Sequence, residues 1–165
     1  VIDQQPAHER VLFEKFLKRM QGSLGSTMQS LFPQAVTMSP ADFTLVMEME
    51  KEIRALGFQF DVFGKNAIIV TGVPAETAGK NEKELFEGLV EQFKQNQATL
   101  NLPLRDNLAS ALARRAAVKA GQKLSREEMV SIVEGLFSSH NPNYSPDGST
   151  TFYIIETSKL ESHFN

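Results

Sequence analysis

The stretch FQFDVFGKNAIIVTGV, Phe58 to Val73, decides the fold class. In its first half Phe58, Phe60 and Val62 alternate with Gln59 and Asp61. That period of two is the mark of a half-buried strand. Gly64, Lys65 and Asn66 supply a turn, and AIIVTGV returns as a more fully buried strand. The pair reads as a β-hairpin. Helical segments flank it on both sides, so the expected class is α+β, without the regular βαβ alternation of a doubly wound sheet.

Working upstream, SPADFTLVMEMEKEIRALG (Ser39 to Gly57) reads as one helix. Ser39 caps it, Pro40 takes the first turn, Asp42 adds an acid there and Gly57 stops it. QSLFPQAVTM before it is extended, with a strand expected around Ala35–Met38. GSLGST (Gly22 to Thr27) is a small-residue linker and the first candidate boundary. At the start, DQQPAHERVLFEKF has Pro6 at the first helical position behind Gln5 as cap. Ala7, Val11, Leu12, Phe16, Leu17 and Met20 then share one helical face.

Downstream, EKELFEGLVEQFKQN turns Leu85, Phe86, Leu89, Val90 and Phe93 inward as an amphipathic helix. Arg105 to Ala120 is Ala-rich and helical, closed by Gly121, with Arg114, Arg115 and Lys119 at the negative end of its dipole. Ser125 and Glu128 form a capping box for a helix to about Phe137. SSHNPNYSPDGST is a turn-rich loop, TFYIIE reads as a strand, and Ser158 caps a short terminal helix.

The chain has 165 residues, 41% hydrophobic and 22% charged, enough for one domain or two small ones with a buried core. A net charge of −3 argues against a dedicated nucleic-acid module, which carries a basic surplus. With no cysteine there is no disulfide and no thiolate ligand, which fits a cytoplasmic location. No apolar run approaches the ~18 residues of a membrane span. VID at the start reads like the end of a buried strand, so the sequence is expected to be a fragment with a strand or two preceding it.

Chemistry-bearing residues are few. Asp3, Gln5 and Glu9 gather at a helix start, where capping and the helix dipole account for them. A divalent cation also favours carboxylates and imidazole clustered in this way, with His8 one step along the face. Asp147 lies in a Pro-Asp-Gly turn that explains it first as turn chemistry. His140 and His163 show no ligand spacing. There is no G-x-S-x-G, P-loop or G-x-G-x-x-G. From the residues alone the reading ends at an α+β domain of unassigned site.

The order of segments resembles the C-terminal domain of the MutL mismatch repair family. IDQQPAHERVLFE is similar to that family's D-Q-H-A-x-x-E-R-x-x-Y-E. LFPQAVTMSPAD and ALGFQFDVFGKNAIIVTGVPA resemble its middle region. ALARRAAVKAG and NPNYSPDGS resemble its closing A-C-x-A-A-I-K-A-G, N-P and C-P-H-G-R-P. The resemblance implies two lobes: a discontinuous dimerisation lobe, 1–27 with 104–165, and an inserted regulatory-type lobe, 28–103. It implies a homodimer whose ATPase domains lie upstream and which meets the mismatch-recognition protein MutS and DNA through the full-length protein, with no membrane partner.

The departures from the family pattern concern metal. Nuclease-competent members hold divalent metal with the first motif and the cysteine-bearing ones. Here Asp3 and Glu9 are kept, but Gln5 takes the histidine's place and Arg114 the first cysteine's. Ser145 and Asp147 stand for the cysteine and histidine of C-P-H-G-R-P, and Phe13 replaces the tyrosine. A guanidinium stays charged and repels Zn²⁺, Mn²⁺ or Mg²⁺. The expectation is a dimerisation domain without endonuclease activity or cofactor, with Arg114 set near Asp3, Glu9 and Asp147 in place of the metal. The alternative is a Mn- or Zn-dependent nicking endonuclease with rearranged ligands, Asp3, Glu9, Asp147 and His8. Family members also bind the replication sliding clamp through a Q-x-x-L-F-like segment. Its counterpart here is Met28, Gln29, Leu31, Phe32 and Pro33, with packing at the lobe entrance as the plainer account. The expected dimer surface is the strand TFYII, with Phe152, Ile154 and Ile155; the plainer account is that these fill the monomer's own core.

Overall fold

The computed structural model describes residues 1–22 and 26–164, so the linker read at Gly22–Thr27 falls partly outside the described residues. The chain divides into two compact units, Leu12–Ala117 and Val1–Val11 with Val118–Asn165. Helix α1 (Gln4–Met20) contributes its first turns to one and its remainder to the other.

In the unit Leu12–Ala117, the described residues form β1 (Thr27–Thr37), α2 (Pro40–Glu48), α3 (Glu50–Ala55), β2 (Gln59–Val62), β3 (Ala67–Pro74), a 3-10 turn at Ala75–Thr77, α4 (Glu82–Thr99) and α5 (Leu104–Ala116). The expected hairpin is β2–β3, paired Phe60↔Val70 and Val62↔Ile68. Its turn places Gly64 and Asn66 at φ 70° and 54°, left-handed values that glycine and asparagine tolerate best. The sheet is antiparallel in the order β1-β3-β2. The central place of β3 explains why its sequence is apolar on both faces. Thr71 is the one polar residue of the strand, and Gly72 beside it carries no side chain. A Cβ there would lie 2.9 Å from Thr27 Cγ2, and beside it Gln29 Nε2 donates 2.8 Å to Gln59 Oε1 across the middle strand.

The core of this unit joins the sheet to the helices. Phe86 meets Phe58 and Phe60 edge-on, with ring centroids 5.4 and 5.5 Å apart. Leu85, Leu89 and Phe93 of α4 are buried, as are Leu108, Leu112 and Ala113 of α5, whose small residues permit close helix packing. Ser39 and Asn81 cap α2 and α4, accepting from the backbone N–H groups of Asp42 and Glu84. Arg19, buried near the end of α1, donates to Glu76 Oε2 at 2.6 Å and to Ser26 O at 3.0 Å.

Several expectations are corrected. The helix read over Ser39–Gly57 is two helices, broken at Met49, whose φ and ψ are −99° and 10°. Val46, Met49, Ile53 and Leu56 are all buried, so the apolar periodicity continues across the break and hides it. The strand expected at Ala35–Met38 begins at Thr27, because β1 pairs with the far end of β3 beyond a bulge between Gln29 and Gln34. Helix α5 stops at Ala116, short of Ala120, with Ala117 extended at ψ 152°.

In the other unit, α6 (Arg126–Phe137) starts on the expected Ser125–Glu128 capping box. Ala7, Val11, Ile132 and Leu136 form a small core, with Ile2, Val118, Leu124 and Phe152 packed against it. The strand expected over Thr151–Glu156 reduces to one bridge, Ile2↔Phe152, flanked by the bond from Tyr153 N to Val1 O at 2.8 Å. Helix α7 (Thr157–Glu161) follows Glu156, so Ser158 lies inside it and does not cap it. Among the described residues no helix is long and apolar enough to cross a membrane.

Candidate functional site

The first turns of α1 carry the residues of the candidate metal motif. Asp3 caps the helix, its carboxylate accepting from Gln5 N at 3.3 Å while its own N–H donates to Thr151 O at 2.8 Å. Pro6 thus falls two residues into the helix, and Asp3, not Gln5, does the capping. Gln5 instead turns its amide sideways: Nε2 donates to Glu9 Oε1 at 3.0 Å and Oε1 accepts from Ala120 N at 3.1 Å. Glu9 is 5% exposed. His8 Nδ1 accepts from Val118 N at 3.1 Å, so that nitrogen's lone pair is already engaged. Gln4 Nε2 donates to Lys119 O and Gln122 O at 2.7 and 2.9 Å. These contacts explain the end of α5: side chains of α1 satisfy the backbone of 118–122, which a continued helix would use within itself.

The Ser145–Asp147 loop is a closed turn. Gly148 N donates to Ser145 O at 3.0 Å, with Gly148 at φ 90°, a left-handed value. Buried Ser145 donates its hydroxyl to Asp147 Oδ1, and Ser149 N donates to Ser145 Oγ and Asp147 Oδ1 at 3.0 and 3.2 Å. Arg10 Nε fixes the loop's entry by donating to Tyr144 O at 2.6 Å. The structure therefore brings together Gln5 with Glu9, and Ser145 with Asp147. Arg114 is exposed near the end of α5 and belongs to the other compact unit. Among the described residues no three His, Asp or Glu side chains are grouped to hold a metal ion.

Two apolar surfaces complete the candidate sites. On β1, Leu31 and Phe32 are 86% and 83% exposed, which overturns the account of them as packing at a lobe entrance. They lie with Pro33 in the bulge between Gln29 and Gln34, and with Met28 and Gln29 they border a depression of about 510 Å³ that also includes Lys80 and Glu82. In the other unit Phe152 packs edge-on against Phe137 at 5.2 Å, but Ile154 is 79% exposed and Tyr153 and Ile155 are exposed with it. Phe152 alone thus follows the plainer account of the three as core. The same unit exposes Met129, Val130, Val133 and Phe137 on α6. This face escaped sequence reasoning. Its signal was present: α6 carries more apolar positions than the two, Ile132 and Leu136, that its core contacts bury.

Residues 1–124 match the profile of the MutL C terminal dimerisation domain. The DNA mismatch repair protein MutL of Chlorobium phaeovibrioides (strain DSM 265 / 1930) is 34% identical over 99% of this chain and 27% of its own length. Those of Pelodictyon phaeoclathratiforme (strain DSM 5477 / BU-1) and Chloroherpeton thalassium (strain ATCC 35110 / GB-78) are 34% and 32% identical, each over 99% of this chain and 26% of their own length. The chain spans about a quarter of the length of these relatives.

Proposed function

The chain belongs to the MutL C terminal dimerisation domain family, and from that premise we propose that it closes a mismatch repair homodimer and does not itself cut DNA. The observation that carries the second half is the donor set. At the positions where the family's nuclease-competent members place metal ligands, this chain keeps Asp3 and Glu9 but otherwise places an amide, a guanidinium, a hydroxyl and the Asp147 carboxylate; Asp3, Glu9, the amide, the hydroxyl and Asp147 are hydrogen-bonded to protein groups. The residues present do not fit a divalent metal, and no metal-dependent step is assigned to them. The exposed apolar residues Tyr153, Ile154, Ile155 and the α6 face favour dimerisation through the unit that holds both chain ends. A stable interface buries about 1,200–2,000 Å² in total. Contacts with MutS and DNA, and the ATPase cycle, belong on this reading to the rest of a cytoplasmic protein. Light scattering on the 165-residue chain and nicking of supercoiled plasmid with Mn²⁺ test the two halves. A monomer at high concentration sinks the first, and metal-dependent nicking the second.

A second reading rests on Leu31 and Phe32. Two large apolar side chains held outward by a bulge are a binding anchor of the kind that fills a partner's pocket, and the sliding clamp is the partner proposed. Leu31→Ala with Phe32→Ala should abolish binding to immobilised clamp without changing the circular dichroism spectrum. Equal binding by the double variant removes this reading.

A further inference from the structure

We propose that the Gln5 amide has taken over, at the altered motif, the cross-linking work of a metal ion, and that its orientation keeps a divalent cation away from Glu9. The proposal deepens the non-nuclease reading and rests on it. A metal ion in such a place joins ligands from separate segments. The Gln5 carboxamide does the same with two hydrogen bonds of opposite polarity, one to Glu9 on α1 and one from the backbone of Ala120. Its orientation is dictated by those partners. Turned over, the amide would aim its NH₂ at the Ala120 N–H and its oxygen at the Glu9 carboxylate, donor against donor and acceptor against acceptor. With the observed orientation, a cation approaching Glu9 Oε1 meets the NH₂ end of the amide, which carries partial positive charge and no lone pair to offer. A cation that takes Glu9 Oε1 must displace the hydrogen bond from Gln5 Nε2, and the amide can offer its oxygen to that cation only by also giving up Ala120 N.

The brace does not act alone. Gln4 holds Lys119 O and Gln122 O, and His8 holds Val118 N, so three side chains from the first two turns of α1 grip one turn of backbone. Gln122 Oε1 closes that turn on itself by accepting from Lys119 N at 3.1 Å. Of these contacts, the Gln5 amide is the one that also reaches a buried carboxylate.

The test uses amide hydrogen exchange and thermal unfolding of the chain, with Mn²⁺ alone as the probe. In the parent chain the Ala120 amide should be protected and Tm unchanged by Mn²⁺. Gln5→Ala should speed Ala120 exchange by about tenfold, the effect of losing one hydrogen bond. Should Gln5→Ala fail to fold, Gln5→Asn, an amide one methylene too short, takes its place in the same measurement. Gln5→Glu keeps an acceptor for Ala120 but sets a second carboxylate beside Glu9, so its Tm should rise with Mn²⁺. Two outcomes overturn the proposal: a parent Tm that rises with Mn²⁺ as much as that of Gln5→Glu, or Ala120 exchange indifferent to loss of the Gln5 side chain. Plasmid nicking by the parent chain, with the exchange results as expected, would instead defeat the non-nuclease reading and leave the brace standing.

Discussion

A Cβ on Gly135 would lie 2.8 Å from Val11 Cγ1, so α6 and α1 approach each other more closely than any other residue at this position allows. Val11 is itself buried beside Ala7, Ile132 and Leu136 and has little room to retreat. Gly135→Ala gains about 1 kcal/mol of helix propensity but incurs overpacking worth roughly 1–3 kcal/mol. The net outcome expected is destabilisation in urea unfolding. Val11→Ala, itself a loss from a buried site, should cost less in this variant than in the parent chain. Additive losses from the two substitutions would show that the contact does not couple them.

Arg19 and Glu76 make a second such constraint. The arginine side chain is 6% exposed and its partner's 24%. Glu76→Gln leaves a buried guanidinium with a neutral acceptor and should lower stability by about 2 kcal/mol, below the 3–5 kcal/mol of a fully buried pair because Glu76 reaches solvent. Gly57 depends on the same arginine: its φ is 110° and a Cβ would lie 2.7 Å from Arg19 Nη1. Gly57→Ala should therefore also destabilise. An urea midpoint unchanged in both variants would show that Arg19 does not organise this corner.

These constraints mark the limit of what the sequence discloses. The β2–β3 hairpin, the Ser39 helix start and the Ser125–Glu128 box depend on neighbours in the chain, and period and capping chemistry reveal them. Gly135 reads as an ordinary weak helix residue until Val11, more than a hundred positions away, is placed against it. Gln5 reads as a poor cap for the same reason, since its partner is Ala120. The early end of α5 was illegible because an Ala-rich run favours continuing the helix, while side chains of α1 favour ending it. The altered motif was legible as a change of residue type. That its amide carries two hydrogen bonds of opposite polarity was not.

Two carboxylates predict how stability responds to acid. Asp42 is held below its ordinary pKa chiefly by the hydrogen bond from Lys94, at 2.7 Å. Glu128 is lowered chiefly by the Ser125 backbone N–H of the capping box, also at 2.7 Å. Both folded-state pKa values lie below the unfolded ones, about 3.9 for Asp and 4.3 for Glu. Their stabilisation is therefore fully present above those values and is lost as pH falls through the folded ones. The urea midpoint should drop on going from pH 6 to pH 3. Asp42→Asn and Lys94→Met should each make that drop smaller while lowering the midpoint at pH 6 only slightly, as suits an exposed pair. An acid response identical to the parent's in both variants would assign the pH dependence to other groups.

The dimer surface is tested by two substitutions two residues apart. Ile154 is 79% exposed, so Ile154→Asp buries no charge in the monomer and should leave the fold intact. If a second copy covers Tyr153, Ile154 and the α6 residues Val133 and Phe137, the same aspartate is desolvated only on association, without a partner. An unpaired carboxylate there should cost at least about 3 kcal/mol, more than a hundredfold in Kd. Phe152→Asp is the contrasting case. Phe152 packs on Phe137 and the core of Ile132 and Leu136, so a charge there should unfold its own unit whether or not a dimer forms. Light scattering with circular dichroism separates the two: a folded monomer for Ile154→Asp, lost helical signal for Phe152→Asp. A folded dimer of unchanged affinity for Ile154→Asp would exclude this face, and the exposed pair Leu31 and Phe32 on β1 would become the next surface to probe as the seat of the second copy.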